Sequence, residues 1–156
     1  MIPNENLKLV SNSRITLSNA FAVADDVLMQ TVKNLIEFIQ NTAFINCDLA
    51  EISAILKNSG YVHTATGRAV GDNKTESVIE QLKHNQLLNT SVDGATGILL
   101  YVTIAGNVAL QDVDKISSAV SKLAAPSVDL IFGLNFDASL YDEIRVLLVA
   151  THKISA

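Results

Sequence analysis

Asp48 and Glu51 are the pair in this sequence whose types and spacing most readily suggest chemistry. Two carboxylates three residues apart can orient a water molecule and accept its proton. The same spacing is that of a capping box, in which the first side chain accepts from backbone N–H groups and the second reaches back to the helix start. Spacing alone favours the cap. Phe21 and Asp25, four residues apart, share a face if their segment is helical; by residue type alone they read as a core aromatic and a solvated acid. His63, His84 and His152 fall on a predicted strand, a helix end and a strand end, without the spacing of a metal site. His84, at a helix C-terminus, complements the helix dipole. Cys47 is the single cysteine, so no intrachain disulfide can form, and a reducing cytoplasm is the expected compartment. GxSxG, HExxH, CxxC and a glycine-rich phosphate loop are absent, and no two of the seven glycines are adjacent.

The elements that must position these residues are legible from periodicity. From Thr16, a plausible N-cap, Leu17, Phe21, Ala24, Leu28, Leu35 and Ile39 recur at helical spacing to about Gln40. Such a helix is about 36 Å long at 1.5 Å per residue. Val23, Val32 and Phe38 fall outside the main stripe, so this spine is expected to be packed on most sides. A second helix begins at Asp48, carries Leu49, Ile52, Ile55 and Leu56, and is expected to stop with Gly60 at its C′ position. A short strand over Tyr61 to Thr66, a loop through Gly67 and Gly71, and a helix from about Asn73 to His84 follow. Ile98 to Ile104 is an almost unbroken apolar run, as in a strand covered on both faces. Leu110, Val113, Ile116, Val120 and Leu123 form one helical stripe, ended by Pro126. Val128 to Leu134 and Glu143 to Thr151 are the last two strands, expected to be adjacent. The pattern implies a two-layer sheet with helices on one face and the long helix across it.

Composition removes several function classes. Against 16 Asp and Glu stand only 11 Lys and Arg, a net charge of -5 with no basic cluster, so no nucleic acid partner is expected. Despite a mean hydropathy of +0.31, no apolar run approaches the roughly 18 to 20 residues of a spanning helix, and no direct membrane contact is expected. At 156 residues the chain buries about two thirds of its unfolded surface, enough for one core. Its 49% hydrophobic content against 17% charge leaves an apolar surplus, which suggests a face hidden against another domain or chain.

Longer stretches carry a more specific signal. Arg14-Ile-Thr-Leu-Ser-Asn-Ala-Phe-Ala-Val-Ala-Asp-Asp-Val-Leu28 and Ala43-Phe-Ile-Asn-Cys-Asp-Leu-Ala-Glu-Ile52 resemble the central helix and following loop of the FtsZ family of tubulin-like division GTPases. Asp93-Gly-Ala-Thr-Gly-Ile-Leu-Leu-Tyr-Val-Thr-Ile-Ala-Gly106 is similar to that family's central buried strand, and Asp142-Glu-Ile-Arg-Val-Leu-Leu-Val-Ala-Thr151 to its last strand. These segments run in order through nearly the whole chain.

The resemblance implies an α+β fold: a two-layer sandwich with a four-stranded mixed sheet and helices on one face, plus a long N-terminal core helix. Residues 1–42 would be the end of the nucleotide-binding half with the central helix, and residues 43–156 the C-terminal domain. The Rossmann-like GTP-binding half has no counterpart here, which suggests a cut-out fragment or a naturally split protein. The resemblance assigns Asn46, Asp48 and Glu51 to the loop that enters the next subunit's nucleotide pocket and polarises the attacking water, with Glu51 standing for the usual Asp. It assigns Phe21 to stack on guanine and Asp25 to accept from its N1 and N2 donors. GTP and Mg²⁺ belong to the complete site, and neither is expected on this chain alone. The implied partners are neighbouring copies in a head-to-tail homopolymer and the missing GTP-binding half. Two alternatives use the same residues: a stand-alone interaction module that caps filaments, and a more distant tubulin-like filament protein. Under the first reading, the spine's outer face would ordinarily lie beneath the missing nucleotide domain.

Overall fold

The apolar run after Gly97 forms the central strand of the domain, and both of its faces are covered, as its composition requires. The computed structural model describes residues 16–40, 49–57, 59–85 and 90–153. In chain order its elements are α1 (Leu17–Gln40), α2 (Leu49–Leu56), β1 (Ser59–Val70), α3 (Lys74–Lys83), β2 (His84–Asn85), β3 (Thr90–Ser91), β4 (Gly97–Ile104), α4 (Leu110–Leu123), β5 (Asp129–Phe136) and β6 (Glu143–Lys153).

The main sheet has the order β1-β6-β4-β5. β1 pairs antiparallel with β6, β6 antiparallel with β4, and β4 parallel with β5. The sheet is therefore four-stranded and mixed, as the resemblance implies. The last two strands are not neighbours, however, because β4 lies between them. The helical connection through α4 allows β5 to run parallel to β4, a pairing that a short turn cannot make. β2 and β3 form a separate two-stranded ladder that sequence periodicity does not announce.

The larger core lies on one face. There Val78 and Leu82 of α3 and Val113, Ile116 and Val120 of α4 pack with Ile98, Leu100, Val102, Ile144, Val146, Leu148 and Ala150. The alternate residues Leu99, Tyr101, Leu147 and Val149 point the other way and form a second cluster with Ile52 of α2. The expected sheet with helices on one face is thus extended by a short helix on the opposite face. This explains why β4 is apolar at successive positions rather than alternate ones.

β1 is longer than the sequence suggests and takes in both Gly60 and Gly67. Gly60 does not end α2. Gly67 is not a loop residue either: a Cβ there would stand 3.0 Å from Val78 Cγ1 and 3.2 Å from the Val78 carbonyl oxygen. Its role is to let α3 approach the sheet closely. Gly71 does act as a turn residue, with φ of +93°.

α1 starts where expected. The Thr16 carbonyl accepts from the N–H groups of Asn19 (3.2 Å) and Ala20 (3.0 Å), and the Asn19 side chain accepts from the Thr16 N–H at 2.7 Å. The expectation that this helix is packed on most sides is not met: Phe21 is 72% exposed, and Leu28, Met29, Val32 and Ile36 are also exposed. Among the described residues no helix is long and apolar enough to cross a membrane.

Candidate functional site at the start of the second helix

α2 has eight residues, too few to be stable alone, so its position depends on what it packs against. Ile52 is buried and Ile55 half-buried, three residues apart and therefore on one face. That face lies on Leu99, Tyr101, Leu147 and Val149. Gly97 at the start of β4 has no side chain, and a Cβ there would stand 2.8 Å from Ile55 Cγ2. The strand beneath is pinned to β6. The Thr151 hydroxyl donates to the Gly97 carbonyl at 3.3 Å, and the Thr96 N–H donates to the Thr151 carbonyl at 2.9 Å.

With Ile52 turned toward the sheet, Glu51 in the first turn is exposed. A carboxylate there is favoured by the positive end of the helix dipole. Asn46 and Asp48, the other two members of the predicted site, lie outside the described residues, as does Cys47. Phe21 and Asp25 are both exposed on α1 and stand one turn apart, so a flat group reaching that face could meet both.

Two charged clusters that sequence reasoning missed lie on β1 and β6 and between the start of α3 and the turn before β6. Glu143 is buried and takes Arg145 Nε at 2.6 Å together with the Arg68 guanidinium. The hydrogen bond from Arg145, followed by that from Arg68, holds its carboxyl below the ordinary range against the opposing effect of burial. The signal is recoverable only from the register, because Arg68 sits directly across from Arg145. A lowered folded-state value contributes stability above the unfolded value near 4.5 and loses it as pH falls through the folded one. Glu143→Gln is expected to cost about 1 kcal/mol at neutral pH, a figure reduced for the exposure of both guanidinium groups. The difference in thermal midpoint from the parent should close below pH 4.5. A difference constant with pH would assign the loss to packing instead.

The second cluster joins Lys74 to Asp142 at 2.9 Å. This hydrogen bond raises the lysine above its ordinary value. Asp142 has φ of 49°, a conformation that aspartate tolerates better than most side chains. Its N–H donates to the Asn107 side chain at 3.0 Å.

Two of the histidines are structural. His63 is fully buried, with Nε2 3.2 Å from the Leu82 carbonyl and Nδ1 2.9 Å from the Thr90 hydroxyl. It ties the β2–β3 ladder to the end of α3. His152 Nε2 donates to the Asp93 carbonyl at 3.1 Å, and its ring stacks on Tyr61 with centroids 4.2 Å apart. His84 follows the last residue of α3 and opens β2.

Known proteins share this arrangement. The profile described as FtsZ family, C-terminal domain, matches residues 60–153. Cell division protein FtsZ 1 of Methanocaldococcus jannaschii is 34% identical over 152 residues, which is 97% of this chain and 41% of that protein. Cell division protein FtsZ of Magnetospirillum gryphiswaldense is 35% identical over the same share of this chain and 27% of its own length. Among solved structures, the empty FtsZ dimer of M. jannaschii superposes with a TM-score of 0.80 at 34% identity, covering 97% of this chain and 44% of that one. CetZ of Methanosaeta thermophila, 16% identical with a TM-score of 0.67 and covering 99% of this chain and 42% of that one, shares the fold. The chain thus spans less than half the length of these relatives. A profile match over β1 to β6, with near-complete coverage of the chain at about one third identity, places it in one family: this chain belongs to the FtsZ family and comprises its C-terminal domain.

Proposed function

We propose that this domain supplies the activating wall of a GTPase site completed by a neighbouring subunit in a head-to-tail filament used in cell division. The observation that carries this reading is Glu51, held exposed at the first turn of a helix whose other face is seated on the sheet. A carboxylate fixed in this way can orient a water brought to it by another molecule, because it need not reorganise on docking. Asp48, one turn earlier, would accept the water's proton, and Asn46 would hold the loop against the incoming nucleotide. Phe21 would stack on the guanine and Asp25 would accept from its N1 and N2 donors. Mg²⁺ in the complete site would neutralise charge developing on the phosphates. Residues 43–156 would act as the activating unit and α1 as the spine joining it to the nucleotide domain.

Assembly needs a docking area as well as a catalytic loop. Tyr141, Leu110 and Val70 are 83%, 63% and 61% exposed where β1, β4 and β6 meet the adjoining turns, an apolar end suited to a second copy. An interface of that kind is heterologous, and such contacts extend into filaments when they do not close.

Joining this chain behind the GTP-binding half of M. jannaschii FtsZ 1 tests the reading. Phosphate release per subunit is expected to rise with protein concentration, since each site needs a neighbour, while the 156-residue chain alone binds no GTP in calorimetry. Release per subunit that is independent of concentration would overturn the shared-site assignment. Loss of polymer when the separate chain is added substoichiometrically to the assembling fusion protein would favour the capping alternative.

A further inference from the structure

We infer that Gly97 is a positioning residue for the activating site, acting through α2. This rests on the function proposed above. A Cβ at Gly97 would lie 2.8 Å from Ile55 Cγ2 and 2.6 Å from Thr151 Oγ1. Carbon atoms in contact settle at about 3.5–4.0 Å, so a methyl group here forces a retreat approaching 1 Å on one side. β4 cannot retreat: it is paired on both edges, with β6 and with β5. α2 can, because Ile52 and Ile55 are its only buried or half-buried apolar side chains in the described cluster. Its exposed side carries Glu51, four residues before Ile55 and one turn along the same short helix. The helix is too short to bend within itself, so a displacement at Ile55 is passed on to Glu51. Gly97 therefore sets the depth at which the helix seats and with it the position of the carboxylate.

The test uses the fusion protein. A misplacement near 1 Å can cost as much as 100-fold in rate, so Gly97→Ala is expected to lower kcat between about tenfold and 100-fold while KM for GTP and the critical concentration for assembly stay near the parent values. Adding Ile55→Ala and Thr151→Ala removes both obstructing contacts and should restore most of the kcat. Ile116→Val, on the opposite face of the sheet, is the control for a general loss of stability and should leave kcat unchanged at a similar shift in thermal midpoint. If Gly97→Ala leaves kcat intact while Asp48→Ala abolishes turnover, the positioning role is overturned and the activating loop stands. If Asp48→Ala and Glu51→Gln both leave turnover unchanged, the activating reading itself falls. Equal loss of kcat in Gly97→Ala and in the triple variant would also reject the seating argument.

Discussion

Leu148→Ala is expected to destabilise the domain by about 3–5 kcal/mol, the upper range for leucine truncation in a core. Leu148 is fully buried on β6, between β1 and β4, and its side chain lies within the cluster closed by α3 and α4. Neither neighbouring strand can collapse into the space left behind, since each is held in register along most of its length. Native domains hold only about 5–15 kcal/mol in all, so one such loss takes a large share. At this chain length it corresponds to a fall in thermal midpoint of roughly 10 °C. Leu147→Ala makes the comparison. Leu147 points to the opposite face, remains 8% exposed, and meets the short helix α2, which can settle onto the smaller residue. Its cost should be about half. Equal losses in denaturant titrations would mean that α2 is as firmly held as α3 and α4.

The second large effect concerns turnover. In the fusion protein, Asp48→Ala is expected to lower kcat by about 10²–10⁴-fold, the range for losing a positioned proton acceptor. Glu51→Gln keeps the size and polarity of the side chain but removes its charge, and should cost less, about tenfold to 100-fold. Two contributions must be separated for Asp48, because its spacing to Glu51 is also that of a capping box. Losing the cap alone costs about 0.5–2 kcal/mol of helix stability. Asp48→Ser retains a capping oxygen and lacks the carboxylate. A catalytic role predicts that it remains slow, whereas a purely structural role predicts recovery. Parent-like turnover in Asp48→Ser would assign Asp48 to the cap.

Glu51 and Gly97 mark the boundary between what local pattern reveals and what it hides. The i, i+3 spacing of Ile52 and Ile55 makes α2 legible and puts Glu51, four residues before Ile55, at the edge of that face; the structure leaves it exposed. Nothing in the spacing says where that face docks. Gly97 resembles a turn residue by type, and only the approach of Ile55 across more than forty residues of chain gives it a packing role. The packing role of Gly67 is hidden for the same reason. The residue looks like a loop glycine next to Gly71, yet the surface of α3 requires its small size within a strand. The Arg68–Glu143–Arg145 cluster is equally hidden, because its partners are brought together by strand register rather than by local spacing.

By itself the sequence determined the type of almost every main element: the long first helix from Thr16, the helix ending near His84, the stripe of α4, the stop near Pro126 and the doubly covered β4. Those features depend on side-chain periodicity and on the backbone limits of proline, which act within a few residues. The family resemblance likewise rests on ordered local segments, and these survive without knowledge of their pairing. Only the tertiary structure decided that β4 separates β5 from β6, that α2 covers the second face, and that Phe21, Leu28, Met29, Val32 and Ile36 of α1 are exposed. Strand order and the docking of a short helix are set by contacts between distant parts of the chain. Their free energy comes from the fit of whole faces, a quantity to which each residue's own neighbours contribute little.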